Sequence, residues 1–290
     1  MLKFKTPQKV FEIGGVKVGG QPGENPTVLI GSIFYHGHRI VLNEKTGEFN
    51  REKAEKLIKL KEEFIGKTGI PGMLDVIAST KEAMCKFIEF SVNTTNMPIL
   101  IDSPSAEVKI AGVKYAKEIG IEDKIVYNSL IPESKEVEFK AIMEYGIKSA
   151  ILLAYKSGVM SSKMRMEALK ELLKKAEDAG VTKPLLDTFV IDIPSLSIAC
   201  KTIIDLKGEL GYPCGCGAHN AITTWIGLKK FMGVEAVKPC DIAVNIMPII
   251  LGADFVIYGP IENCKYIYPA TYAINTSYKY LKRMGEQKEI

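Results

Sequence analysis

From Thr27 onward the chain alternates between short apolar runs and longer segments whose apolar residues recur every three or four positions. The short runs read as buried strands and the longer segments as amphipathic helices. TVLIGSIFY precedes REKAEKLIKLKEEF, GMLDVIAS precedes TKEAMCKFIEF, PILIDS precedes SAEVKIAGVKYAKEIG, and KIVYNSLI precedes SKEVEFKAIMEYG. In the second half SAILLAY leads into a helix from about Ser162 to Gly180, and PLLDTFVI into IPSLSIACKTIIDLKGELG. YPCGCGAHN then leads into AITTWIGLKKFMG, and ADFVIYGPIE into a last helix through Tyr266 to Arg283. Gly120, Gly146, Gly180, Gly211 and Gly233 stand where helices should stop. Eight such units are the count of a closed (β/α)₈ barrel of the TIM type, an α/β fold.

Two segments fall outside this rhythm. Lys9 to Gly20 alternates around Gly14-Gly15 and predicts a β-hairpin with a two-residue turn. Residues 1–26 would then close the lower end of the barrel, and residues 1–290 would form one domain. Val237 to Gly252 is an extra helical piece between the seventh helix and the eighth strand, with Pro239 suited to its first turn. It carries Asp241 and Asn245 on one face; they either look into the barrel mouth or cap and pad its rim.

Composition narrows the setting. The chain has 290 residues, 47% of them hydrophobic, yet no stretch approaches the roughly 18 apolar residues of a membrane span. The beginning, MLKFKTPQKVF, lacks the apolar core of a secretory signal, so a soluble cytoplasmic protein is expected. The net charge of +4 arises from Lys scattered among Glu on helix faces, without the basic stripe and interleaved aromatics of a nucleic-acid binder. No strand runs into Gly-x-Gly-x-x-Gly and a helix, which argues against a dinucleotide fold. The six cysteines are dispersed apart from Cys214 and Cys216. With His219 nearby that pair could begin a zinc site, but no second pair completes it. Small residues filling a crowded loop is the plainer reading, and no metal is predicted.

Candidate chemistry lies at the strand ends. Between Met97 and Ser129 two apolar runs stop on Asp102 and Asn128, and ligands of parallel sheets sit beyond the carboxyl ends of the strands. The same reading adds Asp75, Asp187 and Asn220. At any one position such a residue serves more often as a helix cap or turn former; five on one face point to a ligand. Asp75 and Asp102 are the members most suited to a partly structural role. Short carboxylates and amides fit a flat, nitrogen-rich heterocycle, because a carboxylate accepts two parallel N–H bonds while an amide both donates and accepts. A pterin offers those groups in its 2-amino and N3–H donors and its O4 acceptor.

Longer phrases carry a resemblance: VFEIGGVKVGGQPGENPTVLIGSIFYHGH, LIDSPSAE, VYNS, KPLLDT, GYPCGCGAHN and GADFVIYGPIENCKY. They make the chain resemble the tetrahydropterin-dependent methyltransferases, most closely the H subunit of tetrahydromethanopterin S-methyltransferase and its soluble bacterial relatives. The resemblance covers nearly the whole length. It implies methyl transfer between a corrinoid on a partner protein and N5 of a tetrahydropterin. Tetrahydrofolate is favoured by the look of the soluble relatives, and tetrahydromethanopterin is the alternative. Asp102, Asn128 and Asp187 then match pterin-holding positions and Asp75 matches less securely. Asn220 matches the amide near N5, expected to turn so as to donate or accept as charge develops there. Related dihydropteroate synthases carry a Lys in that region, which lowers that alternative. Tyr35, His36, His38 and the loop Cys214 to Ala218 would form part of the docking rim. A homodimer is also implied, with CKYIYPATYAINTSYKYL a candidate for burial against a partner or against the barrel.

Two rival readings stay open. Lys156, after SAILLAY, would suit a Schiff-base enzyme if desolvated in the barrel mouth. Alternatively the chain is a non-catalytic docking or pterin-carrying subunit.

Overall fold

A computed structural model describes residues 2–156, 158 and 161–290. Eight parallel strands close into a barrel: β1 (Val28–Ile33), β2 (Gly72–Ile77), β3 (Ile99–Asp102), β4 (Ile125–Leu130), β5 (Ser149–Leu153), β6 (Lys183–Asp187), β7 (Cys214–Cys216) and β8 (Phe255–Pro260). Each strand pairs with its successor, and β8 returns to β1 through Phe255 opposite Val28. The expected (β/α)₈ barrel is the observed fold.

The strands are apolar throughout because both of their faces are buried, one against the barrel axis and the other against helices. Val28, Ile30, Met73, Leu100, Val126, Ile151, Leu185 and Phe255 fill the interior, while Leu29, Leu74, Ile99, Ile101 and Tyr127 pack outward. The first six helices are α1 (Arg51–Thr68), α2 (Lys81–Thr94), α3 (Ala106–Glu118), α4 (Glu136–Glu144), α5 (Ser162–Asp178) and α6 (Ile193–Glu209). No helix among the described residues is long and apolar enough to cross a membrane.

The N-terminal hairpin pairs Val10–Ile13 with Val16–Gly19. Gly14 and Gly15 take φ of +50° and +84° in its turn, as a primed two-residue turn requires. Ile13 and Val18 insert into the same cluster as the interior barrel residues. Beside them Lys207 donates to both oxygens of Asp254 at 2.8 Å and to the Gly20 carbonyl at 3.0 Å. Asp254 also accepts from the Cys214 amide at 2.9 Å. Hairpin, α6, β7 and β8 are thereby fastened at one buried ion pair. A second small hairpin, Val41–Asn43 with Glu48–Phe49, lies between β1 and α1 and was not expected.

The seventh unit departs from expectation. The segment predicted as its helix forms two short turns, α7 (Asn220–Thr223) and α8 (Leu228–Met232). The piece read as extra, α9 (Val237–Ile250), instead packs against α6, β8 and the last helix, α10 (Cys264–Met284). Ile222, Thr223 and Thr224 are β-branched, and Gly227 and Gly233 interrupt the run, so its helical tendency is weak. Its apolar residues gain little from burial, since Ile226 and Phe231 are 94% and 78% exposed. By contrast α9 buries Val244 and Ile249. Asn245 donates to Asp241, and Asp241 accepts from Asn263 at 3.0 Å, so this pair fastens α9 to the start of α10. Asp241 lines a side cavity at the rim, and neither residue reaches the cavity in the barrel mouth.

Candidate active site

The carboxyl ends of the strands surround a cavity of about 260 Å³. Asp75, Asp102, Asn128, Asp187 and Asn220 all line it, together with Ser32 and His219. Ligand sites of this fold occupy that end.

Asp75 forms the deepest part. It stands opposite Leu100 in the β2–β3 register, two residues below Asp102. Its Oδ2 accepts from Ser32 at 2.7 Å and its Oδ1 from the Asn128 amide at 3.1 Å. Burial raises its pKa, while those two donors and the buried Lys61 pull it down. Asp102 and Asn128 are neighbours in the β3–β4 register. Burial first, and then the charge of Asp75, push Asp102 well above the usual carboxylate range. Two carboxyls so close in one buried site disfavour being ionised together.

On the opposite wall Asp187 ends β6 and is buried. Phe189, at φ +64°, folds its N–H back onto Asp187 Oδ1 at 2.8 Å. Arg165 of α5 fixes this turn by donating to the carbonyls of Thr188 and Phe189 at 2.7 and 2.6 Å. Burial lifts Asp187 to about 7, against the pull of the Phe189 amide and the Arg165 charge. Asn220 opens α7, beyond β7. Its Nδ2 donates to the Val190 carbonyl at 3.1 Å. A carbonyl only accepts, so the amide nitrogen is held toward Val190 and the oxygen stays available.

Other sequence-derived candidates lie elsewhere. Lys156 is exposed and does not line the cavity, contrary to the desolvation a Schiff-base lysine needs. His38 is buried between the Phe34 amide at 3.0 Å and Glu262 at 3.1 Å, with Tyr35 stacked on it. His36 is exposed and paired with Glu44. Cys214 and Cys216 lie buried in the barrel wall, where burial pushes both thiols up. Among the described residues no group of three His, Cys, Asp or Glu side chains is arranged for a metal.

Three features of the site and its supports escaped sequence reasoning. Ser32 lies near the end of β1, level with Asp75 on β2, but only carboxylates and amides were sought. Arg165 sits in a helix with nothing in its spacing to set it apart. His219 was weighed only as a metal ligand.

Comparison with known proteins places the chain. Residues 6–289 match the family described as tetrahydromethanopterin S-methyltransferase MtrH subunit. The H subunit of tetrahydromethanopterin S-methyltransferase from Methanothermobacter thermautotrophicus is 39% identical over 282 residues, covering 93% of this chain and 91% of that protein. The H subunit of a putative mtx methyltransferase from Methanosarcina mazei is 37% identical over 280 residues, covering 93% and 90%. Among solved structures, dihydropteroate synthase of Xanthomonas albilineans superposes with a TM-score of 0.62 at 17% identity, covering 96% of this chain and 99% of that one. Another dihydropteroate synthetase, solved with a product, gives 0.65 at 13% identity, covering 93% and 99%. At such identities these two likenesses speak for the barrel alone. The sequence match is far stronger, and by it the chain belongs to the MtrH family of tetrahydromethanopterin S-methyltransferase subunits.

Proposed function

We propose that the cavity binds the reduced pterin ring of tetrahydromethanopterin and that the protein moves a methyl group between its N5 and a corrinoid carried by a partner protein. Tetrahydromethanopterin replaces the tetrahydrofolate suggested by the look of soluble bacterial relatives, because curated relatives at 35–39% identity are named for it. The observation that carries the reading is the convergence of Asp102, Asn128, Asp187 and Asn220 on one small polar cavity from separate strand ends.

Asp187 is suited to accept from N3–H and the 2-amino group as a carboxylate held from behind by the Phe189 amide. Asn128, one N–H committed to Asp75, retains its oxygen and its second N–H for the ring edge. Asn220 presents its oxygen toward N5. Asp75 belongs to the site as the group that orients Asn128. Nothing here serves as a covalent nucleophile in the proposed step, and none is required. The protein's contribution is orientation and exclusion of water. At about 260 Å³ the cavity does not hold a corrin macrocycle, which would supply or take the methyl group from above the mouth. The proposal includes a homodimer, tested by the mass in solution.

Calorimetric titration with tetrahydromethanopterin and tetrahydrofolate tests the ligand, with tighter binding of the former expected. Purified protein given a methylated corrinoid protein and tetrahydromethanopterin should release Co(I). Binding without Co(I) release would favour the pterin-carrying subunit.

A further inference from the structure

A methyl group arriving at N5 of a tetrahydropterin creates a proton to be disposed of. The N5 lone pair forms the new C–N bond, and the methyl–cobalt bond breaks with its electron pair staying on cobalt. The N5–H bond must then give up its proton. Asn220 cannot receive it, because an amide oxygen accepts a hydrogen bond without acting as a useful base. Asp75 already accepts from Ser32 and Asn128, and in the proposed pose Asp187 is taken up by N3–H and the 2-amino group, away from N5.

His219 is differently placed. Its ring stands between two cavities, lining both the barrel mouth and the side cavity formed by Trp225, Lys229, Lys238 and Asp241. Its Nδ1 lies 3.0 Å from the Ile257 carbonyl. A carbonyl can only accept, so the ring proton sits on Nδ1 and Nε2 carries a lone pair. Among the described residues Nε2 has no protein hydrogen-bond partner. The position is also made for a ring. A Cβ on Gly259 would lie 2.7 Å from His219 Cγ and Cδ2, and Gly259 takes φ +82°, a conformation unfavourable to other residues.

We infer that His219 is a further catalytic residue of the proposed reaction, its Nε2 taking the N5 proton as the methyl group arrives and returning it in the reverse direction. This rests on the function proposed above. The titratable groups that share a cavity with the ring are Asp75, Asp102 and Asp187 in the mouth, and Lys229, Lys238 and Asp241 in the side cavity. Burial lowers the His219 pKa, keeping the imidazole neutral and ready to accept at neutral pH. An N-methylated N5 ammonium, conjugated to the pterin ring, is acid enough to protonate even a weakened imidazole.

With three histidines in the chain, ¹⁵N-histidine NMR can follow this one directly, the His219→Gln variant providing its assignment. Titration of the wild type with tetrahydromethanopterin should move the Nε2 resonance of His219 as it accepts from N5–H. At saturating pterin His219→Gln should lower kcat by at least about tenfold, in keeping with general acid–base contributions of roughly 10²–10⁴, and abolish the acid limb of kcat. Its pterin affinity should stay within about threefold of wild type. The assignment is overturned if bound pterin leaves Nε2 unmoved, or if the variant keeps wild-type kcat and pH profile. Absence of pterin binding to the wild type would overturn the proposed function itself and be recognised separately in the same titration.

Discussion

The Asn128 amide donates to Asp75 Oδ1 across 3.1 Å, and Ser32 donates to the other oxygen of the same carboxylate at 2.7 Å. Asp75 thus presets two side chains before any ligand arrives. Asp75→Ala would leave a buried amide and a buried hydroxyl without their acceptor. A stability loss of about 1–3 kcal/mol is expected in urea unfolding. Calorimetry should show weaker tetrahydromethanopterin binding as well, because Asn128 is no longer held in place. Unchanged affinity in a folded variant would remove the orienting role.

Asp187 should set the pH dependence of binding. The proposed contact with the ring uses its ionised form, and burial raises its pKa to about 7. Below that pH, binding must first expel a proton, so affinity should fall by about tenfold per pH unit. Asp187→Ala should weaken binding by about tenfold or more, through loss of roughly 1.5–3 kcal/mol in charged hydrogen bonds, and flatten the dependence. A wild-type affinity constant from pH 5.5 to 7 would refute the assignment.

The same raised pKa carries a cost for folding. A carboxyl more easily protonated in the folded than in the unfolded chain favours the fold at low pH, and this advantage is lost as pH rises from about 4 to about 7. Asp187→Asn, which retains an acceptor for the Phe189 amide, should therefore be more stable than wild type above pH 7. The gain is on the order of a few kcal/mol, and ligand binding should suffer. Denaturation series at pH 5 and pH 8 would show whether the difference grows with pH as required.

Asn220→Ala should separate turnover from affinity. Its oxygen is proposed to act where charge develops, and such contacts are worth roughly 2.7–4 kcal/mol in the transition state. A fall of about 10² in kcat is expected with only a modest change in pterin affinity. Equal losses in both would make Asn220 a simple binding group.

The buried Lys207–Asp254 pair offers a control far from the chemistry. Asp254→Ala would strand the ammonium and the Cys214 amide, at a cost of about 3–5 kcal/mol. Folded protein should still bind pterin with near wild-type affinity. A loss below 1 kcal/mol in urea unfolding would contradict the fastening role.

The barrel was legible because its eight apolar runs follow one rule, burial on both faces between a filled axis and a helical coat. The five polar residues were legible for a related reason: each interrupts or ends an apolar run where a short polar side chain has no packing purpose. Ser32 obeyed the same rule and was passed over. The seventh unit misled because Ile222, Trp225 and Leu228 have helical spacing, whereas the β-branched residues and glycines among them prevent a long helix. Arg165 could not be foreseen, since its task is defined by two carbonyls of a turn that exists only after β6 is folded. Nor could the orientation of Asn220, which depends on the Val190 carbonyl in the turn after the neighbouring β6.

The hairpin that brings Ile13 and Val18 into the barrel interior stoppers it from below. A ring bound above must come and go by the upper doorway, the one through which its reaction partner has to reach. If a large carrier docks over that doorway as proposed, it shuts the ring in, so steady-state kinetics should follow a compulsory sequence: the small ring enters before the carrier docks and departs after it lifts away.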